Sequence, residues 1–219
     1  MSAEQFNLSS KQTSIIGIAA FTAKGEMDRL ETALNKGLDA GLTINEIKEV
    51  LLQMYAYTGF PRSLNAVNNF MQVIKDRQEK GITDQTGAAP GQLPADYNRL
   101  QTGKDNQTRI AGQVVEAKPG NFAEFLPDIN LFLQEHLFAD IFSRDNLSFQ
   151  DREIATIAAL TALGGVEGQL RSHINGGLNV GLSEQQIKGL FITFSQDVDA
   201  EAGKAALDLL DNVMMQRPR

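Results

Sequence analysis

The sequence predicts an all-helical protein made of two copies of one helical module, the second copy beginning near residue 147. Two observations predict this. The first is an internal repeat, which must be recognised before any local reading is made. LSSKQTSIIGIAAFTAKG (Leu8 to Gly25) lies over LSFQDREIATIAALTALG (Leu147 to Gly164), with Leu, Ser, Ile, Ile, Ala, Ala, Thr, Ala and Gly coinciding. After one inserted residue, RLETALNKGLDAGLTINEIK (Arg29 to Lys48) lies over QLRSHINGGLNVGLSEQQIK (Gln169 to Lys188). The second observation is periodicity. Apolar residues recur at helical spacing, as in Ile15, Ile18, Ala19 and Thr22 or Ile154, Ile157, Ala158 and Thr161. No alternating stretch bounded by turn signals suggests a sheet.

Each element carries its own boundary signal. The first helix of each copy opens at Leu8-Ser9-x-x-Gln12 or Leu147-Ser148-x-x-Asp151, an N-cap serine with a polar residue three places on. The glycines at 164–168 mark a helix-to-helix turn rather than a phosphate cradle, since no GxGxxG or GxxxxGK[ST] loop occurs. The second helix of each copy ends at Gly41 or Gly181, which can take the left-handed conformation. Directly after come Leu42-Thr43-x-x-Glu46-Ile47 and Leu182-Ser183-x-x-Gln186-Ile187. Each is a capping box flanked by a hydrophobic staple.

Three regions are therefore expected: a first module at 1–80, an irregular connecting arm at 81–120 and a second module at 121–219. The arm holds six glycines and three of the six prolines. A compact domain rarely carries so long a structureless segment, so it is either a linker or an arm packed on the surface or on a neighbouring subunit. Residues 121–142 read as an amphipathic helix interrupted near Pro127, with Phe125, Ile129, Phe132, Leu133 and Leu137 on its apolar side.

Composition narrows the function. A formal net charge of −7 and the lack of a basic stripe argue against nucleic-acid binding. The longest apolar run, Ile154 to Leu163, is too short to cross a bilayer, and the amino terminus lacks a signal-peptide pattern. A cytoplasmic location is the expectation. The absence of cysteine excludes disulfides, thiolate metal sites and thiol nucleophiles. Two histidines, His136 and His173, neither in an HExxH pattern, give no basis for a metal, and no cofactor is expected.

The segment from His136 to Ile187 resembles the carboxymuconolactone decarboxylase family, whose fold is shared with the alkylhydroperoxidase D-like helical bundles. ALNKGLDAGLTINEIKEVLLQMYAYTGFPRSLNA in the first copy is similar to it as well. The resemblance implies a small lactone or carboxylate as substrate, cofactor-free proton transfer with decarboxylation, and a trimer or hexamer of modules. A duplicated chain would supply six modules as a homotrimer. The family's peroxidase branch uses CxxC with a histidine four residues later. Counting back from His173 puts those cysteines at Val166 and Gln169, and the first-copy histidine at Ala33, so that chemistry is disfavoured. The carry-over to the decarboxylase branch lands on Glu153 and His173 as catalytic residues. A non-catalytic scaffold or ligand-binding member is the alternative.

Those residue types suit the reaction. Loss of carbon dioxide from a butenolide carboxylate delocalises electrons onto the lactone oxygen, and a carbon must then be protonated. Imidazole titrates near neutrality without perturbation, and a desolvated glutamate can be tuned to do so. Arg152, Arg144 and Arg62 are candidate carboxylate holders, through the bidentate guanidinium fork. For Arg144 and Arg152 a structural salt bridge is the competing reading. Tyr57, with Tyr55, either lines the pocket or packs. Glu153 competes with a role at the helix dipole, and His173 with a satisfied structural histidine. His136 reads as partly buried helix surface.

Two helices joined at Gly164-Gly165 place Glu153 and His173 at an axial offset of about 4–5 Å, within side-chain reach. In the first copy their places are taken by Ser14 and Ala33, while Tyr57 to Arg62 faces Asp197 to Ala202. One competent site per chain is expected, assembled where the copies meet.

Overall fold

The computed structural model describes residues 6–116 and 118–217. Among these every regular element is a helix, with no strand. The first copy contains α1 (Ser10–Lys24), α2 (Met27–Asp39) and α3 (Ile44–Glu79). The connecting region contains α4 (Arg99–Ala111). The second copy opens with α5 (Phe122–Phe125) and α6 (Pro127–Phe132), which runs into a π-helical segment (Leu133–Ile141). It continues with α7 (Phe149–Leu163), α8 (Glu167–Asn179), α9 (Glu184–Asp197) and α10 (Ala200–Gln216). No described helix is long and apolar enough to cross a membrane.

The repeat is visible element by element. α1, α2 and the two halves of α3 correspond to α7, α8, α9 and α10. Inside α3 the helix kinks at Gly59, where φ is 76° and Pro61 follows. The second copy breaks its chain at the matching place, between α9 and α10.

The caps follow the sequence signals. Gln12 N donates to Ser9 Oγ (3.1 Å), and Ser9 N donates back to Gln12 Oε1 (3.2 Å). The same reciprocal pairing joins Thr43 to Glu46 and Ser183 to Gln186. Ser148 caps α7 through Asp151 N at 3.1 Å. Gly41 and Gly181 adopt φ of 89° and 106°, a region costly for any residue with a Cβ.

The core forms where the copies meet. α1 and α7 make the most extensive helix pairing, and each copy's third helix also reaches the first helix of the other. α1 and α7 are therefore apolar nearly all round. Ile15, Ile16, Ile18, Ala19 and Ala20 are buried, as are Ile154, Ala155, Ile157, Ala158 and Ala159. A helix covered on every side needs no polar face. The alanines let the two backbones approach closely.

The connecting region departs from its expected irregularity, because α4 lies inside it. Its inward face is Gly103, Gln107 and Ile110, too polar and too small to register as an apolar stripe. The signals that mark it are the caps: Asn98 accepts from Gln101 N, and Gly112 closes the helix with φ of 72°. The segment before α4 packs on its own chain. Gln85 and Thr86 carbonyls accept from Ile44 N and Asn45 N at the start of α3. Gly91 N donates to Asp145. α4 itself packs on the π segment. Asn106 Nδ2 donates to the Phe138 carbonyl (2.7 Å), and Gln134 Nε2 donates to Gln107 Oε1 (3.0 Å). Gly103 is required there, since a Cβ on it would lie 1.8 Å from the Gln134 carbonyl oxygen.

The apolar side expected for residues 121–142 holds at Leu137 and Leu133 and fails at the other three residues. Phe125 and Phe132 are 91% and 66% exposed, and Ile129 is exposed too. The buried residues are Gln134, Leu137, Phe138, Ala139 and Ile141. The three exposed residues lie in the short helices α5 and α6, before the π-helical segment begins at Leu133.

Candidate active site

α7 and α8 run antiparallel from the turn at Gly164-Gly165, and this brings Glu153 against His173. His173 Nδ1 lies 2.9 Å from Glu153 Oε2. A carboxylate accepts, so the imidazole proton sits on Nδ1 and Nε2 is left for another partner. Glu153 is fully buried, whereas His173 keeps 13% of its side chain exposed. Room for the pair comes from Gly176, where a Cβ would meet Ile110 Cγ2 at 2.8 Å and Glu153 Oε2 at 3.1 Å. The connecting helix thus sets Ile110 over the carboxylate.

The first copy contributes the other wall. α3 presents Glu49, Gln53 and Tyr57 at four-residue spacing, hence on one face. The Tyr57 ring stands edge-on to His173 with centroids 5.6 Å apart. Burial, and next the Glu153 charge, push the Tyr57 hydroxyl well above its ordinary range, so it remains a donor. Gln53 Nε2 donates to Thr156 Oγ1 (2.8 Å) and to the Arg152 carbonyl (2.9 Å).

The arginines behave as structural cations. Arg152 is fully buried and donates to Gln53 Oε1 (3.1 Å), Glu49 Oε2 (3.2 Å) and the Arg144 carbonyl (2.7 Å). Arg144 grips Glu49 through Nε and Nη2, at 2.7–3.0 Å. Burial alone would push the Glu49 carboxyl up, but hydrogen bonds from Arg144 and Arg152 outweigh it and hold the carboxyl below its usual range. Burial lowers the Arg152 guanidinium, with Glu49 opposing that shift. The expected substrate-holding arginines are thus paired with Glu49. Arg62 is elsewhere, donating to the Ala23 carbonyl at the end of α1. His136 pairs with Asp140 (3.0 Å), four residues on along the same helical segment, and Arg99 shares that carboxylate.

Glu49, Gln53 and Thr156 were missed in the sequence. The available signal was polar residues at helical spacing on α3, interleaved with the buried Val50, Leu51 and Met54. Three buried polar atoms in this cluster have no partner among the described residues: Glu153 Oε1, Tyr57 Oη and Arg152 Nε.

These features define a class: a duplicated helical bundle with a buried carboxylate–imidazole pair at the junction of its copies. The family model for the carboxymuconolactone decarboxylase family matches residues 3–70 and 127–212, most of the chain, and the chain belongs to that family. It is similar to a 4-carboxymuconolactone decarboxylase of Acinetobacter baylyi, 29% identical over 119 residues, covering 54% of this chain and 88% of that protein. It is also similar to Peroxisomal protein 2 of Saccharomyces cerevisiae, 22% identical over 173 residues. That alignment covers 69% of this chain and 61% of the yeast protein.

Proposed function

We propose that the chain is a cofactor-free carboxy-lyase of the carboxymuconolactone decarboxylase type, acting in the cytoplasm on a small lactone or carboxylate. The observation that carries this reading is the set of unpartnered buried atoms beside the Glu153–His173 pair. Buried polar groups are nearly always satisfied, so two donors and one acceptor left over together suit a polar ligand. In the proposed reaction the bond to the substrate carboxylate breaks and carbon dioxide leaves. The electron pair passes into the conjugated lactone and its carbonyl oxygen. Tyr57 O–H and Arg152 Nε–H are the donors for that oxygen. A proton from the His173 imidazolium Nε2 then forms a C–H bond at the ring carbon as the electron pair returns from the oxygen, and Glu153 stabilises the imidazolium that delivers it. Similarity to the Acinetobacter decarboxylase supports the substrate class.

The test is release of carbon dioxide from 4-carboxymuconolactone by the purified protein. Turnover above a no-protein control that heating abolishes is the expected result; none with this or related lactones sinks the reading. The alternative, a ligand-binding scaffold, is favoured by one observation: Arg144 and Arg152 are both tied to Glu49 and leave no free guanidinium fork for a substrate carboxylate.

A homotrimer is also proposed. Phe60, Leu64, Val67 and Met71 form an exposed apolar row along the second half of α3, at 64%, 56%, 37% and 63% exposure. Their spacing puts them on one helix face, of the kind that a second copy covers. Light scattering should give a mass near three chains at micromolar concentration, and a monomer mass refutes the assignment.

A further inference from the structure

The Glu153–His173 pair is covered by α4, and the two sides of α4 are fastened unequally. On the side of the π segment, Asn106 Nδ2 donates to the Phe138 carbonyl (2.7 Å) and to Ser143 Oγ (3.1 Å), and Gln107 accepts from Gln134 (3.0 Å). Arg99 Nε donates to Asp140 (3.0 Å), and Arg109 lies over the Phe149 ring at the start of α7 (4.2 Å). Towards α8 there is one hydrogen bond among the described residues, from Asn179 Nδ2 to the Ile110 carbonyl (2.8 Å). The rest of that seam is the Ile110 side chain against Gly176, beside the Glu153 carboxylate.

That single bond depends on its surroundings. The last carbonyls of a helix have no donor within it, so the end of α4 needs one from outside. Gly112 ends α4 with φ of 72°, and a Cβ there would lie 2.7 Å from Asn179 Nδ2. Any other residue would push the amide away. Arg217 holds the same amide from behind: its Nη2 donates to Asn179 Oδ1 (2.6 Å) and its Nη1 to Asn175 Oδ1 (3.2 Å). With its oxygen accepting from the guanidinium, the Asn179 amide turns its NH2 group towards Ile110.

The site needs such a seam. Glu153 Oε1, Tyr57 Oη and Arg152 Nε are buried, so a ligand meets them only after a packed group moves aside. α3 is tied to α7 by the buried bonds of Gln53 and Glu49, which leaves the α4–α8 seam as the weaker wall. The geometry points to Ile110 as the residue that closes the pocket, carried on a lid, α4, that parts from α8 and is latched by Arg217 through Asn179. This rests on the reading of Glu153–His173 as the place where a ligand binds. α4 and Arg217 both lie outside the residues that the family model matches, so neither lid nor latch belongs to the matched fold.

The test is thiol labelling, because the chain has no cysteine and one introduced thiol reports alone. Ile110→Cys puts it on the inner face of the lid, and Val73→Cys, buried in the second half of α3, is the reference. Each is treated with N-ethylmaleimide, with and without Arg217→Ala, and followed by mass spectrometry. Losing a charge-assisted hydrogen bond shifts an opening equilibrium by about tenfold or more, and labelling follows that equilibrium when reclosing is fast. Arg217→Ala should therefore speed labelling of Ile110→Cys by about tenfold and leave Val73→Cys unchanged. In a His136→Gln background, where His173 is the sole histidine, Arg217→Ala should also speed carbethoxylation of His173 by diethyl pyrocarbonate. An unchanged rate for Ile110→Cys overturns the proposal, and so does an equal rise at Val73→Cys, which would be general loosening. It is overturned equally if Ile110→Cys reacts faster and His173 does not, since α4 would then move without opening the site. Neither reaction uses a lactone, so failure of the lid and failure of the carboxy-lyase reading are told apart.

Discussion

His173→Ala and Glu153→Gln are each expected to lower turnover of a true lactone substrate by roughly 10²-fold or more, the usual scale for a general acid or base. Glu153 Oε2 holds the ring through Nδ1 and leaves Nε2 free of that contact, so in the proposed reaction the two act as one unit. Their combined loss should therefore be much less than the product of the single losses. Glu153→Gln keeps the shape but removes the charge that stabilises an imidazolium, so its defect should fall on kcat more than on KM. Both variants should remain folded by circular dichroism, Glu153→Gln near the parent melting temperature and His173→Ala below it, because it leaves the buried Glu153 without its partner. A folded His173→Ala protein that keeps parental turnover would end the acid–base assignment, and the scaffold reading would then lead.

Glu49→Ala is expected to cost about 3–5 kcal/mol of stability, because it strands a fully buried Arg152 without its counter-charge. In a chain of this size that corresponds to a fall in Tm of about 6–20 °C. Glu49→Gln should cost less, since an amide oxygen can still accept from one arginine. The pH dependence has a defined sign. The folded-state carboxyl of Glu49 is held below its ordinary value of 4.5, despite burial, by Arg144 and Arg152. Its contribution is therefore complete above about pH 4.5 and is lost as pH falls through the depressed value. Urea unfolding of the parent and of Glu49→Gln should show a wide gap near pH 7 that narrows near pH 3. A gap of equal size at both pH values would mean that shape, not charge, is what Glu49 supplies.

The sequence by itself determined the duplication, the helical class and the positions of most helix ends. These are local matters: a cap, a left-handed glycine or an apolar period is written within a few residues. It also determined that Glu153 and His173 lie close together, because one turn and two rises per residue suffice to place them. What it left open depended on contacts between distant segments. α4 lacks an apolar stripe because it packs through Gly103 and Gln107, and the need for Gly103 is visible only with Gln134 beside it. The apolar side of residues 121–142 is legible at Leu133 and Leu137 but not at Phe125, Ile129 and Phe132, which the short helices α5 and α6 leave exposed. The arginines show the same limit. Arg144, Arg152 and Arg62 each have the chemistry to hold a carboxylate, but Glu49, roughly a hundred residues away in sequence, claims the first two, and the end of α1 claims the third. A charge is assigned to its partner by distance in space. Only the tertiary structure, by bringing α3 of one copy against α7 of the other, decided which charges were free for chemistry and which were spent on the fold.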